Sequence, residues 1–397
     1  MTGAYTEIGR KLRQIRHARG KSLTVIAGLA GISPSYLSRL ENGERALDRR
    51  SLIVALADAL EVAPMEITGV GAVTPGPADE DRSLIAVRMA LMSAAMNEPN
   101  GTVQPAAVLG ARVADVLDAQ RDCRHTEVGE LLPALIRDLH TTVAAGREER
   151  EVLRLIALLH VQGTEAWLTD VGASCDLGWQ AAMLARQAAE RLEDDQMTHA
   201  VAAFGTAFAL LAAGAFDLAA TTLAVPVVGT GSDEAMQVTG MLALTSSLVA
   251  AASGRPAERA AALAEAADLA ERTGNGNAMW FGFGPSNVGI WRMSVALESG
   301  EYAEAARIAG TIDPDAIPSP TRRSHYWREY GVALARLPRR HTEAVVMLRR
   351  AERIAPARIH RHPMMRSVIA ELLARSRRDA VGRELRGMAY RAGLPVQ

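Results

Sequence analysis

Past residue 79 the chain reads as one helical pattern after another, and the places where those patterns stop limit the fold. Breaks fall at Gly172, Gly214, Gly254, Gly300, Pro338 and the Arg377-Arg378 corner, spaced 42, 40, 46, 38 and about 39 residues apart. The sequence after three of them recurs: Gly214-Ala215-Phe216-Asp217-Leu218-Ala219, Gly254-Arg255-Pro256-Ala257-Glu258-Arg259-Ala260 and Gly300-Glu301-Tyr302-Ala303-Glu304-Ala305. A tight corner takes glycine, and a small or aromatic residue then seats the next helix on its partner. A long apolar helix, a corner and an Ala-rich second helix, repeated about every forty residues, describe paired antiparallel helices stacked as an α-solenoid. The alternative is an irregular helical bundle without a true repeat. Composition supports helices either way. Hydrophobic residues reach 49% while aromatics are only 4%, so alanine and leucine fill the core, as in helix-on-helix packing.

The first 68 residues follow another pattern. Ile8, Leu12 and Ile15 form a stripe at i, i+4, i+7 that marks a helix ending near Gly20. Ser22 caps a short second helix with Ile26 and Leu29 on one face, and Ala27 and Gly31 flank the corner that follows. Ser33 caps a third helix, with Pro34 in its first turn, where a missing N–H is harmless. Leu37 and Leu40 face inward, which leaves Ser35, Tyr36, Ser38 and Arg39 outward. Asn42-Gly43 closes it, Leu52, Leu56 and Leu60 mark a fourth helix, and Pro64-Met65-Glu66-Ile67 begins a fifth. Two short helices joined by a tight turn, the second showing small polar residues and an arginine, predict a helix-turn-helix. Its second helix suits the major groove. The N-terminal amides face phosphate, and Ser35 and Arg39, one turn apart, reach base edges.

These residues resemble the phage-repressor-like (Cro/C1, or Xre) helix-turn-helix domains. The resemblance rests on Ile8-Gly9-Arg10-Lys11-Leu12-Arg13, Arg19-Gly20, Ala27, Ala30-Gly31-Ile32-Ser33, Ser35-Tyr36-Leu37-Ser38 and Leu40-Glu41-Asn42-Gly43. It implies that Pro34, Ser35 and Arg39 read bases, that Asn42 touches the DNA backbone, and that Arg16 and Glu41 form a buried ion pair. Leu23 departs from the family's frequent glutamine, the loop from Glu44 to Ser51 is one residue long for the family, and Glu44 stands where a basic residue is common. Phosphate contact is then expected to shift to Thr24, Arg45, Arg49 and Arg50. The DNA-contacting set is Thr24, Ser33, Pro34, Ser35, Tyr36, Ser38, Arg39, Asn42, Arg45, Arg49 and Arg50.

Gly69 to Ala78 holds two prolines and three glycines without periodicity and reads as a linker. The expected organisation is a helix-turn-helix domain over 1–68, a linker over 69–82 and a helical sensor and dimerisation domain over 83–397, all-α throughout. The units over roughly 150–393 resemble tetratricopeptide repeats, although no single unit keeps the consensus tryptophan, glycine and proline together. In outline the chain is similar to quorum-sensing regulators that join such a reading head to a peptide-binding repeat domain. It is similar too to actinobacterial regulators that carry a Phe-Gly-Pro-Thr-Asn-Val-like stretch, here Phe283-Gly284-Pro285-Ser286-Asn287-Val288.

That stretch is the most unusual local chemistry of the body. Trp280, Phe281, Phe283 and Trp291 fall within twelve residues of a chain poor in aromatics, beside Gly282, Gly284, Pro285 and Asn287. With Arg322, Arg323, Tyr326 and Tyr330, further along the repeats, they form the expected ligand site. The bland reading is that the rings fill a packing gap and Asn287 caps a helix.

Charge is uneven: +3 over residues 1–70, −16 over 71–318 and +12 over 319–397, for a net −1. The basic tail, with Arg349, Arg350, Arg353, Arg358, Arg361, Arg375, Arg377, Arg378 and Arg383, reads as surface or intersubunit charge before DNA contact. Two cysteines, Cys123 and Cys175, leave no disulfide scaffold and no four-cysteine zinc site. No phosphate loop, His-Glu-x-x-His or Gly-x-Ser-x-Gly occurs, so no enzyme, cofactor or metal is expected. His360 and His362, two apart beside arginines, are poorly spaced for a metal. Without an uninterrupted apolar run of about 18 residues, no membrane partner is expected, and a cytoplasmic location is. The expected partners are double-stranded DNA with a two-fold operator, a second copy of the chain, and a peptide or small-molecule effector. The competing expectation is a DNA-anchored protein–protein interaction module with no small ligand.

Overall fold

The computed structural model describes residues 7–68, 78–224, 228–376 and 379–395. The reading head consists of α1 (Glu7–Ala18), α2 (Leu23–Leu29), α3 (Pro34–Glu41), α4 (Arg50–Leu60) and α5 (Pro64–Thr68). Local chemistry sets these boundaries. The Ser22 hydroxyl accepts from the Val25 N–H at 3.2 Å, and Ser33 accepts from Tyr36 N–H at 3.2 Å, each satisfying a donor the helix start leaves unmet. Gly31 turns the chain with φ of +66°. Ile8, Leu12, Ile26, Leu37, Leu40, Leu52, Leu56, Leu60 and Ile67 close around one small core.

The body begins with α6 (Ala78–Ala95), so helix starts inside the segment expected as linker; residues 69–77 lie outside the described residues. Next come α7 (Ala106–Arg121), α8 (His125–Ala144) and α9 (Glu149–Leu158). A wide π-type turn over Leu159–Glu165 leads into α10 (Ala166–Asp170) and α11 (Cys175–Glu190). Then come the hairpins α12 (Gln196–Ala213) with α13 (Phe216–Ala224), α14 (Asp233–Ala252) with α15 (Pro256–Thr273), and α16 (Pro285–Glu298) with α17 (Tyr302–Ala309). The chain ends with α18 (Pro320–Arg336), α19 (His341–Ile354), α20 (Pro356–His360), α21 (Pro363–Ala374) and α22 (Ala380–Arg391). The described residues contain no strand, and the fold is all-α.

The glycine breaks fall where the spacing predicts. Gly172, Gly214, Gly254 and Gly300 have φ between +67° and +80° and separate successive helices. Pro338 separates α18 from α19, while Arg377-Arg378 lies outside the described residues. The first helices of successive hairpins touch in order, α12 on α14, α14 on α16 and α16 on α18, as stacked hairpins require. α12 and α14 are long and apolar enough to cross a bilayer by length and composition, yet most of each is buried inside the body.

The stack also returns on itself. The Thr321 hydroxyl at the start of α18 donates to the Gln120 and Arg121 carbonyls at the end of α7, at 3.0 and 2.8 Å. Arg358 on α20 pairs with Asp170 on α10 at 2.6 Å. These contacts bound the concave side of the body as a cavity of about 680 Å³.

Candidate DNA-reading helix and inner cavity

Where α3 begins, Ser33, Pro34 and Ser35 are exposed, and so is Arg39 one turn on. Tyr36, Ser38 and Asn42 are half-buried along the same helix, and Thr24 on α2 is exposed. The expected base-reading residues Pro34, Ser35 and Arg39 thus share one accessible helix face. Behind them Arg16 reaches from α1 to Glu41 with two parallel hydrogen bonds, 2.5 and 2.8 Å, both side chains buried. That fork fixes the angle between α1 and α3.

The loop after α3 behaves otherwise. Arg45, Arg49 and Arg50 were expected on phosphate; in the structure this stretch is docked onto the body. Arg45 lies 3.8 Å from Glu371, Arg50 lies 3.4 Å from Glu298, and Arg49 lies against Gly300. Glu298 also accepts the Arg50 and Ser51 N–H groups at 3.2 and 2.9 Å and the Ser51 hydroxyl at 3.0 Å. Helix α4 has no side-chain cap of its own, so the body supplies one. Glu371 accepts the Ala46 N–H at 2.8 Å, and Arg336 bridges Glu371 to Asp48 of the head. Ala46 itself packs into the C-terminal core of the body. The physical reason is simple: an arginine shows which sign of charge it seeks, not whether the anion is DNA or a buried carboxylate.

Of the expected ligand residues, Trp280, Phe281, Phe283, Asn287, Trp291 and Arg322 line the cavity. Arg323, Tyr326 and Tyr330 do not; Tyr326 turns into a small side core and donates its hydroxyl to the Ala309 carbonyl at 3.0 Å. Phe204 and Phe208 on α12, Gln162 and Glu165 on the π-type turn, and His325, Arg358 and His362 also line the wall. The phenylalanines left a readable trace, a pair at i, i+4 in a chain with five. Phe204 meets Phe281 edge-on at 4.7 Å, and Phe208 meets Trp291 at 6.0 Å.

The polar wall is largely self-satisfied. Burial pushes the Asp170 carboxyl up, but Arg358 and His125 outweigh it and hold it at about 2. Glu329 is likewise held well below the usual carboxylate range by His325 and Arg328 against its burial. Burial brings His325 down to about 4 and His362 to about 3, so both are neutral at pH 7. Glu165 differs: burial drives its carboxyl well above the ordinary value, with no cation among the described residues to offset it. Asp48 and Arg50 of the head, with Glu298, also line this cavity, so it reaches the joint between head and body. Most of the tail arginines are spent within the chain: Arg349 and Arg391 on Glu352, Arg358 on Asp170, Arg375 on Glu371, and Arg350 over Trp327 at 4.5 Å. Burial raises both cysteine thiols, and the described residues contain no cluster suited to a metal.

Residues 7–67 match the helix-turn-helix domain family, covering the reading head and none of the body. No curated protein and no solved structure matches the chain. The chain thus carries a helix-turn-helix domain, and this domain supports reading it as a DNA-binding regulator of transcription.

Proposed function

We propose that the protein is a ligand-responsive transcription regulator of the Xre type, acting in the cytoplasm without catalysis. It works as a homodimer on a two-fold operator, and its body is a tetratricopeptide-like sensor for a small effector. The observation that carries this reading is Glu298. Its carboxylate borders the inner cavity and caps the first turn of α4 in the reading head. A molecule that fills the cavity acts on the group that orients the head. In a dimer, a small change in head orientation decides whether two reading helices fit successive major grooves of one DNA face.

The test begins with selection of duplexes from a random pool by the full chain, followed by anisotropy on the selected site. Arg39→Ala is expected to lose about 1–3 kcal/mol, roughly 5- to 150-fold, on that site and to relax sequence preference. Unchanged affinity and preference would remove α3 from the groove. Sedimentation equilibrium checks the dimer.

A further inference from the structure

Most basic side chains on the cavity wall already have an acid. Arg50 faces Glu298, Arg121 faces Asp118 and Asp122, Arg328 faces Glu329, and Arg358 faces Asp170. Arg322 has none among the described residues. Among the described residues its guanidinium donates one hydrogen bond, to the Phe281 carbonyl at 2.7 Å. Burial, with Arg358 nearby, lowers its pKa to about 10. A half-buried guanidinium without a counter-ion has lost part of its hydration uncompensated, and an anion brought to it recovers that cost.

Other unpaired polar atoms line the cavity beside Arg322. The indole N–H groups of Trp280 and Trp291 and the amide nitrogen of Gln162 are buried without a partner. The oxygens of Asp48, Gln120 and Asn287 are unpaired acceptors on the same wall, the last in a side chain only 3% exposed, so the wall offers a bound molecule both kinds of hydrogen bond. Between these groups stand the rings of Phe204, Phe208 and Trp291. A volume of about 680 Å³ is that of a site for one small organic molecule.

We infer that the cavity takes a small organic anion with a flat, aromatic body, its acidic group opposite Arg322 and its rings against Phe204, Phe208 and Trp291. This rests on the reading of the body as a sensor. It narrows the effector to a small aromatic acid and sets aside an extended peptide, since the α7–α18 contacts bound the concave face.

The experiment titrates the full chain with 8-anilinonaphthalene-1-sulfonate, an aromatic anion, and with N-phenyl-1-naphthylamine, its uncharged counterpart. Probe fluorescence and energy transfer from tryptophan report binding. The neutral amine is the more hydrophobic, so apolar burial alone favours it. The expected result is one saturable site that holds the anion at least tenfold tighter. Arg322→Gln removes that preference while leaving the amine's affinity unchanged, and Arg322→Lys keeps most of it. Equal affinity for the two probes on the native protein, or an Arg322→Gln or Arg322→Lys pattern other than this in protein that melts normally, overturns the anion assignment but leaves the cavity a ligand site. If Arg322→Gln does not fold, the native preference and its retention in Arg322→Lys decide. If neither probe binds, the sensor reading itself falls.

Discussion

Replacing Glu298 with alanine should loosen the reading head without unfolding it. The carboxylate, 4% exposed, accepts two backbone N–H groups from α4, the Ser51 hydroxyl and the Arg50 guanidinium. Loss of a helix cap costs about 1 kcal/mol. The charge pair adds about 1–2 kcal/mol, well below the roughly 3–5 kcal/mol of a fully buried pair, because Arg50 retains 31% side-chain exposure and water screens it. Docking should weaken by about 2–3 kcal/mol, or roughly 30- to 150-fold. Hydrogen exchange read by mass spectrometry follows this directly. The segment from Ala46 to Leu56 should exchange faster by about that factor, while α3, held by Arg16 and the head core, should not change. Glu298→Gln keeps an acceptor but loses the charge and should fall between the two. If the Glu298→Ala protein melts like the native one and shows native exchange across the start of α4, the head is held elsewhere and the clamp is misassigned.

Two further outcomes follow from backbone and charge. Gly214 has φ of +80°, and a Cβ there would meet Val54 Cγ2 of the head at 2.5 Å, whereas Gly254 has φ of +68° and open space. Gly254→Ala should therefore cost only the left-handed backbone, about 1–2 kcal/mol, and Gly214→Ala distinctly more in thermal melts. Equal losses would mean that the head does not press on that corner. Glu165→Gln tests the buried acid. Because the folded pKa is raised, the folded chain holds a proton that the unfolded chain releases, and native stability falls as pH rises above the ordinary 4.5. The gain in melting temperature of Glu165→Gln over the native protein should grow from pH 4 to pH 8; a constant difference would show that Glu165 finds a cation.

What was legible in the sequence was local. Ser22, Ser33, Pro34 and Gly31 act within a few residues of themselves, so caps and corner could be read one by one. The glycines at 172, 214, 254 and 300 mark turns by the same logic. The cavity was half legible: Trp280 to Trp291 is one short segment, whereas Phe204 and Phe208 are marked only by their i, i+4 spacing in an otherwise Ala-rich helix. Arg323, Tyr326 and Tyr330 share a helix with Arg322, yet neighbours on a helix point about 100° apart, so Arg323 cannot share its face. The ring closure could not be read at all. Arg358 and Asp170 stand 188 residues apart, and nothing in an arginine-rich tail marks one arginine for that carboxylate.

The same blindness at residues 44–51 bears on how the head is controlled. A head tied only by residues 69–82 would be governed by tether length, and its orientation would be loose. Here the loop directly after the reading helix is gripped: Arg375 donates to the Glu44 carbonyl at 2.8 Å, Glu371 takes Ala46, Arg336 takes Asp48 and Glu298 takes Ser51. Because α3 ends at Glu41, a shift in this grip reaches the base-reading residues through only a few residues of chain. The grip also leaves Ser33, Ser35 and Arg39 exposed, so it sets orientation instead of covering the helix. Coupling between cavity and DNA is then bounded by what the ligand can change at the clamp. If Glu298 contributes about 2–3 kcal/mol, an effector acting through it alone shifts docking by about 30- to 150-fold at most, and by linkage DNA changes effector affinity by the same factor.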